Sequence, residues 1–322
     1  MDYILFVLGF VILIKGADLL IEGSSAIARK LNVPDIVIGL TVLSFGTSLP
    51  ELLVSLISNM GGNSDLAIGN VLGSNISNTL LVLGVAAIIY ELPIRKDMIR
   101  TELPFSIVVI LVVGFLANVN LFSSKEELII GRVEGFILLF FFMLFLIYMF
   151  NLFKDNNEIP GEDELDFEHL PSLKKSYFYI ILGIIGLYFG GEWVVDGAIL
   201  ISKKFGVSDA FIGLSIVALG TSLPELVTSA MAAYKKKADM AIGNVIGSNI
   251  FNAVWILGLS SVINPLKYNP QNNIDIAVIL LSSVALFIGF LLPRKYTIGR
   301  IKGIILVLLY FLYIGFLFFR GF

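Results

Sequence analysis

The run VIGLTVLSFGTSLPELLVSLI, Val37–Ile57, is apolar apart from the hexapeptide GTSLPE at Gly46–Glu51 and a few small hydroxyl residues around it. The same six letters return at Gly220–Glu225, inside FIGLSIVALGTSLPELVTSAM. Each copy brings two hydroxyls, a helix-breaking proline and a carboxylate into surroundings that would otherwise simply be greasy. The surroundings extend over the whole chain. Of 322 residues 57% are hydrophobic and 15% charged, and mean hydropathy is +0.93. A soluble domain is closer to a quarter charged. Repeated apolar runs of about 20 residues are what a ~30 Å hydrocarbon core asks of spanning helices. The chain reads as a polytopic membrane protein with its partner the lipid bilayer. Its net charge of -3 gives no reason to expect a nucleic-acid partner, and no protein partner is inferable. With no cysteine, disulfides and thiolate metal sites are excluded. No cleavable leader is expected, because the first apolar run starts at Tyr3 without a basic lead-in.

Polar breaks predict ten spans, near 3–26, 36–58, 66–90, 103–121, 129–153, 176–202, 209–233, 239–263, 273–292 and 302–319. Basic residues collect in the loops after the odd-numbered spans: Arg29 and Lys30, Arg95 to Arg100, Lys154 to Lys175, Lys235–Lys237, and Arg294 to Lys302. Those loops are therefore expected in the cytoplasm, with both termini outside a cell (plasma) membrane.

The strongest organisational signal is an internal repeat. The two glutamates and the pair Asn78 and Asn252 stand at one offset (225 − 51 = 252 − 78 = 174). GADLLIEG at Gly16 matches GGEWVVDG at Gly190, and AIGNVLGSNISN (Ala67–Asn78) matches AIGNVIGSNIFN (Ala241–Asn252). Each half holds five predicted spans, an odd number, so the second must enter the membrane upside down. Inverted repeats of this kind mark secondary transporters, which bind substrate near the midplane between the repeats. The expected fold is all-α: ten transmembrane helices in two inverted five-helix repeats, with helices 2 and 7 broken at an ion site. Residues 1–153 form the first repeat, 154–175 an acidic cytoplasmic linker and 176–322 the second repeat. The linker reads as solvated, its spacing matches no EF-hand loop, and its His169 reads as a surface residue.

If GTSLPE continues a helix, Pro50 leaves the Gly46 carbonyl without its donor and opens the backbone there, as Pro224 does for Gly220. An orphaned carbonyl in hydrocarbon must face protein, water or a cation. Thr47 and Ser48 then share a face with Glu51. Carboxylate, hydroxyl and carbonyl oxygens are the ligand set of sodium and calcium rather than of soft metals. Ser74 and Asn78, like Ser248 and Asn252, stand four apart on one helix face. The pairs Gly69/Gly73 and Gly243/Gly247 offer small-residue surfaces for close packing, with Asn70 and Asn244 between them free to bond across the interface. A lone glutamate in a span can serve as an interfacial anchor; two at equivalent positions, each beside a proline, argue for a site. Lys15, Asp18, Glu22, Glu192 and Asp196 are expected near membrane surfaces or in local pairs.

Paired GTSLPE and GN-x-x-GSN-x-x-N segments in two five-helix halves resemble the sodium/calcium exchangers of the cation/calcium antiporter superfamily, in the compact prokaryotic form. The resemblance implies that Glu51 and Glu225 bind calcium in competition with sodium, surrounded by the hydroxyls of Thr47, Ser48, Ser74, Thr221, Ser222 and Ser248. It implies flanking ligands at Asn78 and Asn252 and backbone ligands at the carbonyls of Ser44 and Ala218. It also implies a long pair, helices 1 and 6, that slides across the core. Some members carry Asp at the position of Asn78 or Asn252, so this site holds two formal charges where theirs hold three.

Two carboxylates close together in low dielectric cannot both stay bare. The carrier is expected to cross only when loaded, which makes exchange obligatory, with calcium extruded as sodium enters. No cofactor and no enzymatic activity are expected, since no histidine or cysteine lies in any span. Proton/calcium or potassium-dependent exchange is the alternative, although the GN-x-x-E motif of proton-coupled relatives is absent. A channel fits less well with closely packed glycines.

Overall fold

The computed structural model describes residues 2–119, 127–155, 171–204, 218–291 and 296–320. His169, almost all of the linker and the first part of the seventh predicted span lie outside the described residues. What is described is overwhelmingly helical. In chain order the helices are α1 (Asp2–Lys30), α2 (Asp35–Thr47), α3 (Leu49–Met60), α4 (Ser64–Ile89), α5 (Glu102–Asn118), α6 (Arg132–Asp155), α7 (Leu173–Lys204), α8 (Ala218–Thr221), α9 (Leu223–Tyr234), α10 (Ala238–Ile263), α11 (Asn272–Leu291) and α12 (Arg300–Arg320). Among the described residues seven helices are long and apolar enough to cross a bilayer, and the bent pair α2–α3 makes an eighth. The apolar stretch Asn272–Ile288 is shorter.

Local chemistry explains the ends. α1 stops at Arg29 and Lys30, cations beside its negative C-terminal end. Asn63 caps α4 by accepting the Leu66 N–H at 3.1 Å. The turn before it uses Gly62 at φ 81°, where a side chain would be strained. At the equivalent place in the second half the left-handed residue is Lys236, at φ 59°.

α1 and α7 form one antiparallel body. A Cβ added to Gly9, Gly16 or Gly23 would sit 3.0 Å from the Gly190 carbonyl oxygen, 2.9 Å from that of Gly183 and 2.6 Å from that of Ser176. The glycines recur every seventh residue on α1 and on α7, and at Gly16, Gly183 and Gly190 the two backbones meet directly, while Gly197 receives the Phe6 side chain. Close approach of this kind drives helix association in lipid, where apolar burial gives no net gain. Small residues do the same between α4 and α12 at Gly84 and Gly303, and between α6 and α10 at Gly135 and Gly258.

The halves are interleaved. Strand Leu92–Pro93 pairs antiparallel with Thr297–Ile298, and Ile129–Ile130 with Leu266–Lys267, so each tiny ladder joins one half to the other. A continuous core including Leu20, Leu40, Leu43, Leu72, Ile76 and Val254 is essentially closed to solvent.

Among the described residues three helices contain a wider turn that the residue pattern did not announce: Gly39–Leu43 in α2, Asn78–Val82 in α4 and Phe251–Ile256 in α10 are π-helical. Such turns insert one residue and concentrate at functional sites. Two of the three contain the asparagines singled out from the repeat.

Gly16→Leu should destabilise the protein by about 1–3 kcal/mol or more, because the α7 backbone cannot yield to a side chain. A lowered melting temperature in detergent checks it, with Gly315→Leu, which meets nothing within 4 Å, as the neutral control.

Candidate functional site

The chain turns at the serines of the hexapeptides. Ser48 (φ −85°, ψ 7°) ends α2 and precedes α3, and Ser222 (φ −86°, ψ 4°) does the same between α8 and α9. The first pair of half-helices bends by 45°. Pro50 and Pro224 are the second residues of the new helices, where no N–H is required. This corrects the expectation of an opening at Gly46 and Gly220. Those glycines serve packing: a Cβ on Gly46 would stand 2.9 Å from Cγ1 of Ile184, and one on Gly220 would collide with Val195, both on α7.

Restarting the helix at Leu49 and Leu223 puts Glu51 and Glu225 in first turns, where the positive end of the helix favours a carboxylate. Both are fully buried. The hydroxyls before them point elsewhere than helical spacing suggests. Ser48 donates to Glu225 Oε1 at 3.0 Å, and Thr47 donates to Asn244 Oδ1 at 3.2 Å and lies 3.4 Å from Ser248 Oγ. The shared face of Thr47, Ser48 and Glu51 is thus replaced by a crossing between halves, because the break rotates the hydroxyls away from their own carboxylate. Ser74 meets Glu51 Oε1 at 3.4 Å and Ser248 meets Glu225 Oε1 at 3.4 Å, the same bond in both halves.

Asn70 and Asn244 do bond across the interface. Asn70 Nδ2 donates to the Glu51 carbonyl (3.1 Å) and to Ser55 Oγ (2.9 Å), while its Oδ1 accepts from Thr221 at 3.2 Å. Asn244 Nδ2 donates to Ser229 Oγ at 2.9 Å and its Oδ1 accepts from Thr47. Ser55 and Ser229 were not singled out, although each follows its glutamate by four residues and they share the repeat offset. That was the available signal. The close packing expected at both glycine pairs is found at one: Gly243 and Gly247 lie against Gly39, Leu40 and Ser44 of α2, whereas among the described residues nothing comes within 4 Å of a Cβ at Gly69 or Gly73.

Ser44 donates to the Gly39 carbonyl at 2.6 Å, and its own carbonyl accepts the Ser48 N–H at 3.0 Å. Ala218 opens α8. Asn78 and Asn252 are fully buried, one turn beyond Ser74 and Ser248 on α4 and α10. Both side-chain polar atoms of each asparagine lack a hydrogen-bond partner, as do Glu51 Oε2, Glu225 Oε2 and Ser222 Oγ. Buried polar groups nearly always find a partner, and an unmet one costs about 1–3 kcal/mol. The unmet atoms of Glu51, Glu225, Asn78, Asn252 and Ser222 are ones that a bound group would satisfy. Among the described residues no third Asp, Glu, His or Cys joins the two glutamates.

A membrane-embedded helical protein with hard oxygen donors buried between broken helices falls in the class of ion exchangers. Residues 1–151 and 175–319 match the family model described as sodium/calcium exchanger protein, and the chain belongs to that family. It is 30% identical to the sodium/calcium exchanger MaX1 of Methanosarcina acetivorans, with 99% of each chain covered. It is 35% identical to the inner membrane protein YrbG of Escherichia coli, covering 94% of this chain and 92% of that protein. Its structure resembles that of the sodium-calcium exchanger NCX_Mj, with a TM-score of 0.79, 35% identity and coverage of 98% and 97%.

Asn244→Ala should lower stability by about 1–3 kcal/mol, since it strands the Thr47 and Ser229 hydroxyls inside the protein. Thermal unfolding in detergent measures it; an unchanged midpoint would mean those hydroxyls find other partners.

Proposed function

We propose that this chain exchanges calcium for sodium across a cell membrane by alternating access, extruding calcium as sodium enters. The two halves act as inverted five-helix repeats, 1–153 and 176–322, joined by a cytoplasmic linker, with both termini outside. The antiparallel course of α1 and α7 and the reciprocal bonds of Ser74 and Ser248, and of Thr47 and Thr221, support that arrangement.

One observation carries the reading. Two fully buried carboxylates, one in each half, each keep an oxygen without a partner, beside unpartnered amides and a hydroxyl. In low dielectric such a pair is stable only with its charge neutralised. A calcium ion takes six to eight oxygens at about 2.3–2.6 Å in loose geometry, which suits carboxylate, amide and hydroxyl donors on separate helices. Glu51 Oε2 and Glu225 Oε2 are assigned as the charged ligands. The amide oxygens of Asn78 and Asn252 and the hydroxyl of Ser222 are assigned as neutral ones, with the carbonyls of Ser44 and Ala218 at the breaks. Ser48 and Ser248 hold Glu225 in place, and Ser74 holds Glu51. Sodium, with the same preference for hard oxygen and half the charge, replaces calcium by occupying these ligands separately. Magnesium competes poorly, because it keeps its water and demands a tight octahedron.

The empty site carries two bare charges, which resists occlusion and makes movement between faces depend on loading. That dependence turns two binding equilibria into exchange.

In vesicles carrying a sodium gradient, Glu51→Gln and Glu225→Gln should each nearly abolish calcium uptake. Transport at the parent rate in both variants would refute the assignment. Asn78→Ala and Asn252→Ala remove neutral ligands and should weaken half-saturation for calcium by about tenfold while leaving exchange measurable. Repeating the flux with a pH gradient in sodium-free buffer, and with potassium varied, separates sodium coupling from its alternatives.

A further inference from the structure

Asp18 was expected to pair locally, and it does lie 3.8 Å from Lys15. Its other carboxylate oxygen is bonded by Lys235, far away in the loop between α9 and α10. Seven residues further along α1, Ser25 Oγ accepts a bond from Lys237 of the same loop and donates to Met240 Sδ at 3.5 Å. Lys237 is largely buried, which pushes its pKa down, while the charge of Asp35 opposes that shift. Arg29 and Lys235 are the other charges facing it. Two separate contacts thus fasten α1, and through the glycine seam also α7, to the loop that follows the Glu225 helix.

The repeat supplies an internal control. At its offset, Asp18 corresponds to Glu192, Ser25 to Ile199, Lys235 to Gly61 and Lys237 to Asn63. The acid survives on α7, but the bases and the hydroxyl do not. Among the described residues Glu192 is exposed and forms no ion pair. The lysine loop also holds Lys236 in the left-handed conformation that its counterpart assigns to Gly62, so lysines are kept there in spite of the backbone. Among the described residues this fastening is found at one face only.

We infer that Asp18–Lys235 and Ser25–Lys237 form a one-sided latch that holds the α1–α7 body closed over the Lys235 face of the site, so that the loaded carrier, free to pass between faces, opens preferentially to the opposite one. Two identical inverted halves would give the two access states equal energy. A contact present in one state and broken in the other biases the populations by its own strength. This inference rests on the alternating-access reading, in which α1 and α7 move relative to α9 and α10.

The absence of cysteine makes the test direct. Ala232, fully buried on α9 between Glu225 and Lys235, becomes a reporter as Ala232→Cys. An impermeant maleimide is applied from the Lys235 face of oriented vesicles in buffer that contains sodium and no calcium, so that the carrier can pass between faces. Lys235→Gln or Asp18→Asn should speed labelling by about fivefold, the population shift expected of one partly exposed ion pair. The exchange Asp18→Lys with Lys235→Asp should return it toward the parent rate. Unchanged labelling in both single variants, or a swap that labels as fast as they do, overturns the latch. If Lys235→Gln does not fold, Asp18→Asn carries the same comparison. Labelling is read without calcium flux, so a failure of sodium/calcium exchange would be recognised separately in the transport assay.

Discussion

Two carboxylates buried within the bilayer are the constraint on which the rest of this structure depends. A charge in low dielectric is tolerated only with compensation close at hand. Each glutamate receives some of it from its own protein: a helix N-terminus, a serine one helix away, and for Glu225 a second serine from the opposite half. The compensation is left incomplete on one oxygen of each. A fully satisfied pair would be a structural ion network, and a fully unsatisfied one would not stay buried. The intermediate condition is what the proposed binding and release of a cation would require.

Breaking the helices at serine achieves this within the rule that backbone polar groups in lipid must be satisfied internally. The two half-helices abut, so the negative end of one and the positive end of the next meet at the site. The turn moves Ser48 from its own glutamate to the other one. Glu225 is therefore positioned in part by the opposite half, whereas the serine on Glu51 is Ser74 of its own half. α1 and α7, equivalent in the sequence repeat, run antiparallel, and the glycine seam lets their backbones approach closely.

Much of this was legible in the residues. The twin hexapeptides and their common offset pointed to the two buried glutamates and the serines bonded to them, and Asn70 and Asn244 were correctly expected to bond across the interface. The wiring was not legible. Spacing along one helix places Thr47 and Ser48 above Glu51, and only the position of the other half shows that Ser48 reaches Glu225. The π turns after Ser77 and at Phe251 left no mark in a chain whose hydrophobicity is nearly uniform, since a 3.6-residue period and a wider turn look alike when every face is apolar. The glycine seam was visible as a seven-residue period on α1 and α7. It was overlooked because attention went to glycines four apart.

The two small ladders add a consequence for how the protein is made. Leu92 waits for Ile298, Thr47 for Asn244 and Asn70 for Thr221, so each partner is synthesised long after the group it completes. While the ribosome is still translating the C-terminal portion, the N-terminal portion already sits in lipid with acceptors and donors unclaimed. Insertion of this chain is thus a late-closing assembly, in which these first-half groups gain their partners only when the last segments arrive.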